Sequence, residues 1–339
     1  MGLFRKSPAV PPARPSWDDV PTEDDIFFAY RLILKRDADQ AGLDHYRRQI
    51  AGGMSLDRVI RSFFSSEEYR FRVLDEWQPT SVDFGAFKVC IQKRDTDFGQ
   101  AILDTREYEP QVRALLATHL REGDVCVDVG ANVGVMAFQA ATIVKDRGLV
   151  IAVEPNPENL RLLYAGIVVN GFGNVRVLPL AASNRGEIVS LTGGISNTHV
   201  MGARGLEAGG GLYAQAGALD EWLAWLPRLD LVKMDIEGHE PLALDGFRAT
   251  LARHRPALLV EFNPRCLEDL HRQSPRAFLD DLFSLYPRVC AVSAFGDDQT
   301  FDAPADLMAF WERRNREVAA EGRLPDRMLH FDLITTKAD

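Results

Sequence analysis

Val125-Cys126-Val127-Asp128-Val129-Gly130-Ala131-Asn132-Val133-Gly134 decides the fold. A β-branched run of strand length meets a turn of small residues, and an apolar helical pattern follows over Gly134–Lys145. The same unit recurs outward from it. Leu149–Val153, Val175–Leu180, Leu231–Met234 and Ala257–Phe262 read as further strands, with helices over Pro157–Val169 and Pro241–His254. Strands that are apolar nearly throughout, alternating with helices, predict an α/β fold whose mostly parallel sheet is covered on both faces. Ligands of such sheets bind beyond the carboxyl ends of the strands, where the strand order reverses.

The loop after the first of these strands is built for an anion or nucleotide. Small residues let the backbone approach a ligand, and the helix start offers free N–H groups. The spacing Gly130-x-Asn132-x-Gly134-Val135 breaks the dinucleotide fingerprint at two of its three glycines. It fits the acid-x-Gly-x-Gly-x-Gly loop of S-adenosylmethionine enzymes better, with Asn132 in the middle glycine's place. Glu154 closes the next strand, where a carboxylate accepts both ribose hydroxyls. Lys233-Met234-Asp235-Ile236-Glu237-Gly238-His239-Glu240 then puts a dense polar cluster straight after an apolar strand, with Lys233 and Asp235 on one side of it.

Composition narrows the classes. The chain has 339 residues, 46% hydrophobic and 26% charged, which is globular and long enough for two domains. Its net charge of −10 gives no global field for nucleic acid. No apolar run approaches the ~18 residues of a membrane span. The four cysteines form no C-x-x-C pair, so neither a zinc ribbon nor a disulfide framework is expected. The first residues show neither a signal-peptide core nor a myristoylation pattern, so a cytoplasmic location is expected.

Ahead of the α/β region lies a helix-only one. Residues 1–22 include a proline-rich stretch and read as a flexible tail. Residues 23–80 read as a small bundle of four short helices, and residues 81–339 as the α/β domain. Ile26, Phe27, Tyr30, Ile33 and Leu34 make one stripe; Leu43, Tyr46 and Ile50 a second; Val59, Ile60, Phe63 and Phe64 a third. Asp37-Ala38-Asp39-Gln40-Ala41-Gly42 imitates the start of an EF-hand loop, but Arg48 stands where a bidentate Glu is required, so a capped turn between helices is expected.

Tyr30–Tyr46 and Phe63–Tyr69 resemble a small helical domain family of unknown function, often fused to bacterial enzymes of surface glycans. The larger part resembles the FkbM-type methyltransferases of the class I S-adenosylmethionine-dependent fold. The residues that carry this are Tyr108-Glu109-Pro110, Val127–Gly134, Val153-Glu154-Pro155-Asn156, Leu219-Asp220-Glu221-Trp222, Leu231–Glu240 and Val260-Glu261-Phe262. The resemblance implies a Rossmann-like sheet of seven strands whose last, about Met328–Thr335, runs antiparallel. It implies O-methylation, often of sugars or glycosylated products. It places S-adenosylmethionine on Asp128, Gly130, Asn132, Gly134, Glu154 and Asn156, with Ala182 a candidate for the adenine pocket.

For catalysis, His239 is the natural base, because imidazole titrates near working pH. Asp235 or Glu237 could instead take the proton or hold a hard, oxygen-liganded divalent ion; no residue is assigned to a metal. Gly193–Gly217, with eight glycines, is expected to be a substrate lid or a surface loop. Pro304–Ala320 reads as a helix in a stretch, Ser293–Arg327, that the resemblance does not cover. The expected partner is a sugar-containing acceptor, not nucleic acid. The alternatives are methylation of protein or nucleic acid, or a scaffold that keeps the fold without turnover.

Overall fold

The computed structural model describes residues 20–34, 36–69, 79–96, 98–201, 212–325 and 328–335. The chain divides into two compact units, residues 1–78 and 79–339. Most of the expected proline-rich tail, residues 1–19, lies outside the described residues.

The first unit holds α1 (Glu23–Ile33), α2 (Gln40–Ala51) and α3 (Leu56–Ser65). A capping box between Thr22 and Asp25 starts α1. The Asp39 carboxylate accepts from the Gly42 N–H at 2.7 Å and starts α2, so the Asp37–Gly42 segment is the capped turn. Tyr30, Tyr46 and Phe63 form the centre, with Tyr46 stacked on Phe63 at 4.7 Å between ring centroids. Phe27 and Phe64 were expected inward and are 39% and 49% exposed. Each follows a residue that already fills the buried face, so the ~100° step per residue turns it outward. A fourth helical turn begins at Glu67, and what would continue it lies outside the described residues.

The second unit opens with a hairpin, β1 (Thr80–Asp83) and β2 (Lys88–Ile91), and helices α4 (Phe98–Thr105) and α5 (Pro110–His119). Then come β3 (Val125–Val129), α6 (Val135–Val144), β4 (Leu149–Val153), α7 (Pro157–Asn170) and β5 (Val175–Leu178). Four strands follow: β6 (Ala181–Ser183), β7 (Glu187–Gly193), β8 (Thr198–Met201) and β9 (Leu212–Ala218). The chain continues through α8 (Leu219–Trp222), β10 (Leu231–Met234), α9 (Glu240–Asp245), α10 (Arg248–His254) and β11 (Ala257–Phe262). A π-helical turn over Cys266–Leu270 leads to α11 (Pro275–Leu285), β12 (Val289–Val292), β13 (Gln299–Phe301), α12 (Pro304–Ala320) and β14 (Phe331–Thr335).

The large sheet runs β13-β12-β14-β11-β10-β3-β4-β5. β14 is antiparallel to both β11 and β12, as expected of the last strand. Seven strands were expected; the eighth, β13, adds antiparallel to the β12 edge. The alternation of strand residues builds two cores. Val127, Val129, Val232, Met234, Leu258 and Val260 pack on one face, and Cys126, Val150, Ala152, Leu231 and Leu259 on the other. The chain leaves β3 toward β4 and β5, then returns to β10 on the other side of β3, so the order reverses there.

Three expectations need correction. The strand expected over Val175–Leu180 ends at Leu178, and the chain turns into a separate sheet, ordered β6-β9-β7-β8. That sheet contains much of the glycine-rich Gly193–Gly217 segment, expected to be a lid or loop. Val189, Leu191, Val200 and Ala216 give it a small core of its own, a pattern the glycines mask. Residues 202–211 of the segment lie outside the described ones. The helix expected over Pro241–His254 is broken between Asp245 and Arg248, where Gly246 passes the Ser183 carbonyl of β6. Pro304–Ala320 is helical over the expected range.

Candidate functional site

The reversal beside β3 opens a cleft at the carboxyl ends of β3, β4 and β10. Gly130 and Asn132 bring its β3 side. Gly130 sits at φ 81°, and a Cβ there would stand 1.9 Å from the Asp235 carbonyl oxygen, so only glycine lets the loop pass the end of β10. Asn132 takes a left-handed φ of 51°, as expected for a residue in a glycine's place.

Glu154 ends β4 and organises the neighbouring backbone. One carboxylate oxygen accepts from the Asn132 N–H at 2.8 Å, and the other from the Asn156 N–H at 2.9 Å. The Asn159 amide adds a third bond at 3.2 Å. Burial pushes the Glu154 carboxyl up to about 7 against the pull of these donors. Asn156 and Asn159 also donate to the carbonyls of Ile195 and Ser196, each at 3.0 Å. They hold the β7–β8 turn over the cleft, which Ser196, Asn197 and Thr198 line.

Of the residues expected at the cofactor, Gly130, Asn132 and Glu154 line the cleft. Asp128 lies beneath it, 1% exposed, facing Lys233 across the β3–β10 register at 3.8 Å. Gly134 is also below the surface; a side chain there would run into Leu163 and Phe138, so it brings α6 against α7. Asn156 caps α7 and is fully buried. Ala182 lies in β6, buried and away from the cleft lining, because the chain leaves the large sheet before reaching it. Phe98, Tyr108, Met136 and Asn159 line the cleft and were not singled out for it. Tyr108 stood in a recognised motif; Met136 and Asn159 lie on the first turns of α6 and α7, just past the residues singled out, and Phe98 comes from α4, distant in sequence.

The cluster after β10 divides. Asp235 and Glu237 line the cleft, and Lys233 reaches it from below. Lys233 Nζ lies 3.2 Å from Asp235 Oδ2. Burial alone would lower the Lys233 ammonium, but Asp235, Asp128 and Glu109 outweigh it and hold it above its ordinary value. Burial and Asp235 raise the carboxyls of Glu109 and Glu237. Burial and the surrounding acids raise Glu261 likewise. Glu237 has a left-handed backbone, φ 57°, strain of about 1–3 kcal/mol for a non-glycine residue. Asp235, Glu240 and Glu261 have carboxylate oxygens within 4.8 Å of one another.

His239 was expected to be the base, and the structure turns it elsewhere. It is 5% exposed and does not line the cleft. Its Nε2 lies 3.3 Å from Ser183 Oγ, and its ring packs edge-on to His271. Burial, aided by His271, lowers its pKa to about 4, so it is a neutral, weakly basic imidazole at working pH. The residue follows Gly238, and that turn carries it behind the cleft wall.

Glu240 gives a pH-linked expectation. It is 2% exposed and accepts from the Ile236 N–H at 2.8 Å. Burial raises its carboxyl from 4.5 to about 8. The folded state therefore binds more protons than the unfolded between those values, and stability falls as pH rises through that window. Glu240→Gln keeps the acceptor and removes the linkage. From about pH 5 to pH 8 it should gain on the order of a few kcal/mol relative to the parent chain. Parallel chemical-denaturation curves for the two across that range would refute the assignment.

The strand order, with β14 antiparallel beside β11 and the cleft at the β3 switch point, defines a class I methyltransferase fold. Residues 128–273 match the methyltransferase FkbM domain family, and residues 16–72 match a domain of unknown function (DUF4214). The α/β unit thus contains a stretch that matches the FkbM methyltransferase domain, and a separate match to the domain of unknown function covers most of the helical unit. Among solved structures it is similar to methyltransferase FkbM from Methylobacillus flagellatus KT, with 15% identity and a TM-score of 0.40, over 91% of this chain and 58% of that one. It is also similar to precorrin-6y C5,15-methyltransferase from Geobacter metallireducens GS-15, with 15% identity and a TM-score of 0.36, over 69% of this chain and 92% of that one. Fibrillarin from Aeropyrum pernix, solved with natively bound S-adenosyl-L-methionine, matches at 15% identity and a TM-score of 0.30, over 47% of this chain and 56% of that one. No curated protein matches. Among the described residues, no helix is long and apolar enough to cross a membrane.

Proposed function

We propose that the chain is an S-adenosylmethionine-dependent O-methyltransferase acting on a sugar hydroxyl of a glycan or glycosylated product. The observation that carries this is the pairing of the Gly130–Asn132 loop with Glu154 at one cleft, roofed by the β7–β8 turn. The residues present fit the cofactor. Oδ1 atoms of Asn132 and Asn159 are buried without a hydrogen-bond partner beside Glu154, in the lining of the same cleft. A carboxylate has about four lone-pair sites, so Glu154 has one left for a ribose hydroxyl beyond its three present donors, at Oε2, which accepts only from Asn132. When bound, S-adenosylmethionine supplies an electrophilic methyl group.

The chain's own residues would do the rest. The loop and Glu154 hold and orient the nucleoside, which supports in-line attack. Glu237 on the cleft wall accepts the proton of the acceptor hydroxyl, its raised carboxyl bringing it closer to working pH. Asp235 pairs with Lys233 beside it at 3.2 Å. Carboxylates crowd this wall around a single lysine, which also disfavours a phosphodiester backbone as acceptor.

Intact-mass analysis of surface-glycan precursors incubated with the protein and S-adenosylmethionine tests the reading. The expected product is heavier by one methylene and resists demethylation by base, as an ether does. A base-labile ester or a methylated protein side chain would overturn the acceptor class.

A further inference from the structure

A second chamber, of about 600 Å3, adjoins the cleft at Glu237. Two elements form the partition. β8 alternates across it, with Thr198 and Val200 lining the cleft and His199 lining the chamber. Glu237 is the one described residue that lines both spaces. The chamber floor is the π-helical turn at Cys266–Leu270. Its outer wall is Ala294, Phe295, Leu324, Met328 and Leu329, from the stretch between β12 and β14.

That outer wall lies beyond residue 273, where the match to the FkbM domain ends. Nothing in the cofactor cleft requires it. Its side chains are apolar, with the Arg323 guanidinium, paired with Glu321, over the Phe295 ring at 4.2 Å and Arg265 donating to Met328 Sδ. The charges lining the chamber leave no cationic excess. Arg265 pairs with Asp269 at 3.9 Å, Glu237 is the other carboxylate, and His199 and His330 are the remaining ionisable lining groups. Burial lowers the His199 imidazole, and its Nδ1 is buried without a hydrogen-bond partner. The chamber therefore offers an apolar wall, one unused imidazole nitrogen and one carboxylate shared with the cleft, with no surplus of fixed positive charge for a phosphate.

We infer that this chamber binds the acceptor, and that the acceptor is an uncharged amphipath: its reacting hydroxyl at Glu237, which borders both spaces, its remaining polar part toward His199, and an apolar part resting on Phe295, Leu324 and Met328. This rests on the methyltransferase reading and names the substrate class for it: a glycoside with a substantial apolar aglycone rather than a free, fully polar glycan. The hydroxyl loses its proton to Glu237 as its oxygen bonds to the methyl carbon, and the demethylated cofactor leaves with the former C–S electron pair.

Methyl, butyl and octyl β-D-glucosides, kept below their micelle concentrations, probe the apolar part whatever the true sugar is. Their binding to the full chain is read by saturation-transfer NMR in the presence of S-adenosylhomocysteine. Octyl glucoside should bind at least about 10-fold more tightly than butyl, well under the limit for four fully buried methylenes. Leu324→Glu and, separately, Phe295→Ser should reduce that preference to within about 3-fold. Calorimetric titration with S-adenosylhomocysteine reports in the same samples whether each variant is folded. Equal binding of butyl and octyl glucosides, or a preference that survives both substitutions in cofactor-binding protein, overturns the inference and leaves the methyltransferase reading standing. Failure of the parent chain to bind S-adenosylhomocysteine overturns that reading and the inference with it.

Discussion

Glu237→Gln is expected to lower turnover on a confirmed acceptor by ~10²–10⁴ while leaving cofactor affinity within a few-fold. The carboxylate is shared by the two cavities, and the amide keeps its size but cannot take a proton. In the parent enzyme the rate should rise with pH through a limb displaced upward from the ordinary carboxylate range, because burial and Asp235 raise Glu237. The variant should lose that limb. His239→Ala makes the contrast, since a buried imidazole with a pKa near 4 that faces Ser183 cannot serve the cleft. Its turnover should stay within about ten-fold of the parent, below the usual worth of general-base catalysis. A large loss in His239→Ala alongside normal turnover in Glu237→Gln would reverse the assignment.

Glu154→Ala is expected to weaken S-adenosylmethionine binding by about 1.5–3 kcal/mol, the worth of hydrogen bonds to a charged group. The structure places the effect at the upper end. Removing the carboxylate also strips Asn132 and Asn156 of their N–H acceptor and frees Asn159, which positions the β7–β8 turn. Glu154→Gln should lose less, because its amide oxygen can still accept one of these bonds. Calorimetric titration of both variants decides it, and unchanged affinity in Glu154→Ala would remove the residue from the site.

The fold was legible where burial is uniform. β3, β4, β10 and β11 are apolar nearly throughout because both faces are covered, and their ranges were readable to the residue. The β6–β9 sheet was not. Its core is only a few residues deep, and the glycines that let β7 and β8 turn also disguise them as loop. At the site, Asp128, Glu154 and Asp235 were visible because a charged residue at the end of an apolar strand is conspicuous. Which side of the wall each acid or imidazole faces was not visible. Glu237 and Gly238 both have positive φ, and this turn sends His239 behind the cleft. A sequence read as a regular strand-to-helix step cannot register that rotation. Nor can local spacing show that Phe295 and Leu324 wall a chamber beside Glu237, since β12 and β14 bring them there from some sixty residues away and more.

The measurement closest to the central claim is calorimetric titration of the unmodified chain with S-adenosylmethionine, S-adenosylhomocysteine and a reduced nicotinamide dinucleotide. The loop at Gly130–Asn132, coupled to Glu154, predicts binding of both adenosyl thioether compounds and none of the dinucleotide. Binding of the dinucleotide alone, or of none of the three, would contradict it.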